Sequence, residues 1–346
     1  MAILTNTCER LFLDHIFGVT EWNRPTELWL GVSATAFTES DTAFAALQKE
    51  AGSSSTTVFN ANSYSRIQIS ESNNTGVNNH MAAFSNTNAI TSYKNTSGDG
   101  QIDFPQASGS GWGSIQYWAI FQSDIPANST TEATINATAA QIPLMFGTFS
   151  SATTVASGSQ FRISEGDFEI TPPTQFTDNA LGGDSKWAGL IGLLNGNDWT
   201  FLDNTTDTTA TNWYLGISTS AYAWNEDTGS LQEVGTAAGP SYTSFGYTSR
   251  GKVIMGAAAT ASNTTTSANT SAIVFPECQT TAWGDITHWA LYQGGTTSSG
   301  ANPSVAGVSS NHQKMPLITG ALTTTKTVSV GDVLRFPIGS FVIGAT

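Results

Sequence analysis

Apolar and polar residues alternate along much of this chain, the period of a strand with one face buried and one face wet. Runs of this kind, some of them rich in β-branched residues, predict strands at residues 27–33, 65–70, 113–122 and 160–170, and again at 211–219, 251–256, 285–292 and 325–330. Stretches of Ser, Thr, Asn and Gly separate them, such as 51–57 and 261–270, and read as loops. Two segments depart from the alternation. Leu11, Phe12, His15 and Ile16 recur at helical spacing behind a capping Asn6 or Thr7 and ahead of Gly18. Trp187, Leu190, Ile191 and Leu194 do the same ahead of Asn195-Gly196, and a Trp follows each stop, Trp22 in one case and Trp199 in the other. Each helix is expected to plug one open end of a β-sandwich.

The pattern repeats. Leu28-Trp29-Leu30-Gly31-Val32-Ser33 matches Trp213-Tyr214-Leu215-Gly216-Ile217-Ser218, and Ile102-Asp103-Phe104-Pro105 matches Ile273-Val274-Phe275-Pro276. Trp112-Gly113-Ser114-Ile115 and Trp118-Ala119-Ile120-Phe121 return as Trp283-Gly284-Asp285-Ile286 and Trp289-Ala290-Leu291-Tyr292. A last block runs from Pro143-Leu144 and Gly147 through Val155, Gly158, Arg162, Gly166 and Phe168; it returns as Pro316-Leu317, Gly320, Val328, Gly331, Arg335, Gly339 and Phe341. Order is kept while spacing drifts, as in related domains whose loops differ in length. The expectation is a mainly β protein: two tandem homologous domains of the β-sandwich or jelly-roll kind, 1–172 and 173–346, each preceded by a short N-terminal helix. They join at the stiff dipeptide Pro172-Pro173. The loops at 123–141 and 294–312 hold the same place in both halves and are candidates for contact with neighbouring subunits.

Composition agrees and narrows the function. Of 346 residues only 11% are charged, against roughly a quarter in an average globular protein, and Lys plus Arg total 12. With 10 Trp and 18 Phe the chain has ample material for a core. A formal charge of −14 argues against a nucleic-acid partner, which would call for clustered cations. Residues 1–13 contain Glu9 and Arg10 and no long apolar run, so neither a secretory signal nor a membrane contact is expected. Cys8 and Cys278 occupy non-equivalent places in the two halves and read as buried thiols of a protein made in a reducing cytoplasm.

Candidate chemistry is sparse. His15, His80, His288 and His312 lie far apart without metal-ligand spacing, so no metal and no cofactor is expected. Glu165 and Asp167 suggest a glycosidase pair, but Ile338 and Ser340 hold the equivalent places in the second half. No nucleophile elbow or phosphate loop occurs, and no catalytic residue is assigned. Trp112, Trp118, Trp283 and Trp289 recur at equivalent strand positions, as a shared core requires. Trp224, Tyr242 and Tyr247, in a Gly/Ser-rich stretch, are the candidates for contact with a partner or a glycan.

Taken together, Pro25-Thr26-Glu27-Leu28-Trp29-Leu30-Gly31, the Tyr64-Ser65-Arg66 turn, Ile102–Pro105, the Trp112–Trp118 block and the closing run 320–332 resemble a widespread family of phage structural proteins of the tail or tail-fibre type. This chain resembles a tandem duplication of that family's domain. The resemblance implies a non-enzymatic virion component on the particle exterior, assembled in the host cytoplasm. It would be a tail, fibre or baseplate part acting through contacts with other virion proteins, as a homo-oligomer or symmetric array. The alternatives are a decoration protein bound to the major capsid protein on the head, and a carbohydrate-binding module attaching to a host surface glycan.

Overall fold

The computed structural model describes residues 2–16, 27–71, 80–86, 89–96, 100–128, 130–170, 212–221, 251–261, 264–294 and 318–345. The helix expected at 187–194, with Trp22 and Trp199, lies outside them. The chain forms two compact units: Met1–Glu9 with Asn23–Gln175 and Gly189–Asp198, and Arg10–Trp22 with Phe176–Ala188 and Trp199–Thr346.

The first part of the chain runs β1 (Ala2–Leu4), α1 (Asn6–Ile16), β2 (Glu27–Ser33), α2 (Ala43–Lys49), β3 (Ile67–Glu71), β4 (Ala82–Asn86), β5 (Ala89–Lys94) and β6 (Ile102–Gln106). It continues through β7 (Gly113–Phe121), α3 (Glu132–Asn136), β8 (Met145–Val155), β9 (Gln160–Ile163) and β10 (Glu169–Ile170). The second part runs β11 (Asn212–Ser218), β12 (Gly251–Val253), β13 (Ala259–Ala261), β14 (Thr264–Ala268), β15 (Ile273–Glu277), β16 (Gly284–Gly294), β17 (Ile318–Val328), β18 (Val333–Phe336) and β19 (Val342–Ala345).

The protein is mainly β, and the two units repeat one antiparallel plan. The first unit has sheets ordered β1-β8-β7-β2-β3, β10-β5-β4 and β6-β9. In the second unit the orders are β17-β16-β11-β12, β19-β14-β13 and β15-β18. Even the irregularities are shared. The ladder slips between Ile115 and Tyr117 in β7, and between Ile286 and His288 in β16. The two-stranded ribbons slip between Asp103 and Gln106, and between Val274 and Glu277. A bulge kept at equivalent places is part of the design of the sheet, since it bends the strand and redirects its side chains.

The core follows from the alternation. Leu28, Leu30, Val32, Ile115, Trp118 and Ile120 are buried, as are Trp213, Leu215, Ile217, Ile286 and Trp289 in the second unit. Trp112 and Trp283 are buried too, so all four repeated tryptophans are core. Trp118 meets Phe168 edge-on at 5.1 Å between ring centroids, and Trp289 meets Phe341 in the same way at 4.8 Å. In the first unit a layer covers the opposite face of the main sheet. There Phe37 and Ala46 pack on Ala119, Phe121 and Phe146, with Trp29 and Tyr117 at the margin. Thr42 caps α2 by accepting from the Ala45 N–H at 3.2 Å, and Ala43 and Leu47 of α2 pack on Ile135 of α3.

A buried asparagine locks the closing turn of each unit. Asn95 donates from Nδ2 to the carbonyls of Gly100 and Ser164, both at 2.7 Å, and its Oδ1 accepts from the Phe168 N–H at 2.8 Å. Asn269 donates to Ser271 (2.7 Å) and Pro337 (2.9 Å) and accepts from the Phe341 N–H at 2.9 Å. The turns so held contain Gly166 and Gly339, whose φ angles of 81° and 74° suit glycine and strain most other residues.

Three loop or strand expectations are corrected. Residues 160–170 form two strands, β9 and β10, because the turn at Gly166 interrupts them. Residues 261–270 hold most of the β13–β14 hairpin, in which Thr265 and Ser267 are buried. Their hydroxyls are satisfied, that of Ser267 by the Gly256 carbonyl at 2.7 Å and that of Thr265 by Thr260 at 2.9 Å. Residues 123–141 contain α3 rather than loop alone.

Asn95→Ala and Asn269→Ala each orphan a buried N–H and buried carbonyls, so each is expected to cost about 3 kcal/mol. Hydrogen exchange across the two units measures this, and the loss should stay with the unit carrying the change.

Candidate functional site

The densest polar arrangement among the described residues gathers around Arg66, at the mouth of β3. Both partners of its ion pair with Glu50, the residue that ends α2, have side chains at 0% exposure. The guanidinium takes both carboxylate oxygens: Nε donates at 3.2 and 3.0 Å, and one terminal nitrogen donates to Oε1 at 2.6 Å. Its other terminal nitrogen donates to the Ser123 carbonyl at 2.8 Å and to Gln141 Oε1 at 2.9 Å. The guanidinium carbon lies over the Phe121 ring, 3.5 Å from its centre. The planar fork of arginine alone supplies this many donors in fixed directions, so lysine is no substitute.

Tyr64 completes the cluster. Its hydroxyl donates to Glu50 Oε2 at 2.8 Å and accepts from the Val32 N–H at 3.0 Å. Burial pushes its ionisation well above the ordinary value of 10.0, and the neighbouring Glu50 carboxylate adds to the effect. The Tyr-Ser-Arg turn therefore joins β2, β3, the end of α2 and the segment after β7. Gln141 donates to Ser123 Oγ and to the Asp124 carbonyl, both at 2.7 Å, which closes residues 123–141 on themselves. The expected contact loop of the first half is thus tied to a buried charge pair. Its counterpart, 294–312, lies outside the described residues beyond Gly294.

Beside this cluster a groove of about 660 Å³ is lined by Trp29, Arg66, Gln68, His80, Gln101 and Asp103. Trp29 and Gln68 are cross-strand partners on β2 and β3. Much of the polar lining is already engaged: Trp29 donates to Glu27 at 3.1 Å, Gln101 to Asp103 at 2.8 Å, and Asp103 pairs with Arg162 at 2.6 Å.

The other candidates do not converge here. Trp224, Tyr242 and Tyr247 lie outside the described residues, as does His312. Glu165 and Asp167 are exposed in the turn between β9 and β10. His288, in β16, bonds the Thr287 hydroxyl at 2.8 Å through Nδ1. Cys8 and Cys278 are free thiols and buried, and burial raises the Cys8 thiol well above its usual range. Among the described residues no group of three or more His, Cys, Asp or Glu is placed to hold a metal, and no helix is long and apolar enough to cross a membrane.

Removing Arg66 leaves Glu50 buried and unpaired. Arg66→Met is expected to cost about 3–5 kcal/mol, and Glu50→Gln on top of it to recover part of that loss in urea unfolding. Tyr64 gives a pH signature. Folding favours its neutral form, so its contribution is intact below the ordinary value of 10.0 and is lost as pH rises beyond it. Melting temperatures should fall above that pH in the parent chain, and Tyr64→Phe should flatten the fall.

Two comparisons bear on identity. The family described as "Podophage GP4 fiber I protein gp80" matches residues 3–171 and 198–344. No curated protein matches the chain.

Proposed function

The chain belongs to this podophage fibre family, and from that premise we propose that it works on the exterior of the virion tail, without catalysis, through assembly contacts. Membership makes it a structural protein of the phage particle. The carrying observation is that the family match extends over both copies of the repeat. We take 1–172 and 173–346 as the two copies, meeting at Pro172-Pro173. Tandem copies joined in one chain suit bridging between neighbouring virion proteins, where many weak contacts are multiplied by symmetry.

The tethering of residues 123–141 supports this reading. The segment is held through a buried ion pair, and a binding protein benefits from a surface fixed before the partner arrives. Attachment to the major capsid protein is disfavoured by a family of fibres. A host glycan role has, among the described residues, the groove beside Trp29 as support.

Immunogold labelling of intact particles tests the placement. Label confined to the tail and its appendages is the expected result; label spread over the head would overturn it and establish head decoration.

A further inference from the structure

The large apolar side chains exposed among the described residues, Ile254, Val274, Val330, Val333, Ile338 and Val342, all lie in the second unit. The first unit provides an internal control. Ribbons β6–β9 and β15–β18 share one register: Asp103 pairs with Arg162 and Gln106 with Gln160, as Val274 pairs with Arg335 and Glu277 with Val333. The inward positions are apolar and buried in both, Phe104 and Phe161 in one, Phe275 and Leu334 in the other. The fold therefore places no demand on the outward corners.

In the first ribbon those corners are satisfied within the chain. Arg162 donates to Asp103 at 2.6 Å, Gln106 to the Gly158 carbonyl at 2.6 Å and Gln160 to the Phe104 carbonyl at 2.8 Å. In the second, valines replace Asp103 and Gln160 and stand 50% and 51% exposed. Arg335 faces Val274 rather than a carboxylate, and none of the ion pairs among the described residues involves Arg335 or Glu277. The turns at the ends of the ribbon change in the same direction, Ser157 to Val330 and Glu165 to Ile338, the last 68% exposed.

The register puts Val274 and Val333 on one diagonal of a four-cornered face and Arg335 and Glu277 on the other. Paired corners stand about 5 Å apart and diagonal ones about 7–8 Å. Such a face complements itself. Turning a second copy about a two-fold axis along the valine diagonal lays each valine on its own counterpart and brings Arg335 to the partner's Glu277. Two chains of charge −14 repel at long range, and this face lets them meet apolar on apolar with two opposite-charge pairs.

We infer that the outward face of the β15–β18 ribbon is a two-fold contact between two copies of this chain. The inference deepens the assembly reading and rests on it. The patch is a few hundred Å², so the contact is small and weak in solution and gains from repetition on a particle.

Sedimentation equilibrium of the full chain over a concentration series tests it, with circular dichroism as the fold control. The mass should rise from 36.4 kDa towards twice that value and plateau there. The double variant V274D/V333Q installs the residues that the first ribbon already tolerates, and should weaken association at least about tenfold. R335E and E277R should each weaken it, and the combined R335E/E277R should restore it. A chain monomeric throughout, a plateau beyond two chains, association that survives V274D/V333Q, or a charge swap without rescue overturns the ribbon contact. Gold label on the tail with a monomeric chain would refute the ribbon and leave the fibre reading standing; a dimer with label on the head would refute the fibre reading alone.

Discussion

The structure of each unit depends on one phenylalanine held from two sides. Asn95 grips the Phe168 backbone while the Phe168 ring stands edge-on to Trp118 of the main sheet. Asn269, Phe341 and Trp289 repeat the arrangement. The amide fixes where the strand β10 or β19 begins, and the ring fixes how that strand's sheet meets the larger one. A polar bond and an apolar contact thus share a residue, and neither can relax without disturbing the other. This explains why the Gly-x-Phe spacing survives in both copies, whereas loop lengths around it drift.

On that common frame the copies differ among the described residues. In the first, α2 and α3 cover the back of its sheet, and Arg66 ties them to β3 through Glu50 and Gln141. Removing such a pair's partner is costly because the remaining charge stays buried, so the arrangement is kept whole or lost whole. The second copy has fewer polar pairs at the matching places. Where the first has the cross-strand pairs Asp103–Arg162 and Lys94–Glu169, the second has Val274 beside Arg335 and Ala268 beside Val342. Surface ion pairs contribute little to stability, so exchanging them leaves the fold intact while changing what the surface attracts.

The repeat, the strands and α1 were legible because burial on one face writes a period of two or of 3.6 into the sequence. β14 escaped because its inward residues, Thr265 and Ser267, are polar and look like loop until their hydrogen bonds are seen. α2 escaped because seven residues give a weak pattern; its cap at Thr42 and the spacing of Ala43, Ala46 and Leu47 were the available signals. The asparagine clamps could have been found by aligning Asn95 with Asn269 just ahead of each ribbon. The Arg66 cluster could not, since Glu50 and Gln141 are remote in sequence and no spacing joins them. Tyr64 and Arg66 stood out only through family resemblance, and the physical reason for them is three-dimensional.

The outward corners of the ribbons have a further consequence for how such a protein changes over generations. Residues there alternate with core residues, so a substitution at Asp103 or Val274 alters the outer surface without touching Phe104 or Phe275 one position away. The duplication holds two such ribbons in one gene product. One can keep its self-contained polar face while the other explores new contacts. A chain built this way can acquire a new neighbour by single mutations without passing through an unfolded ancestor, and the same positions are natural places to graft a chosen specificity.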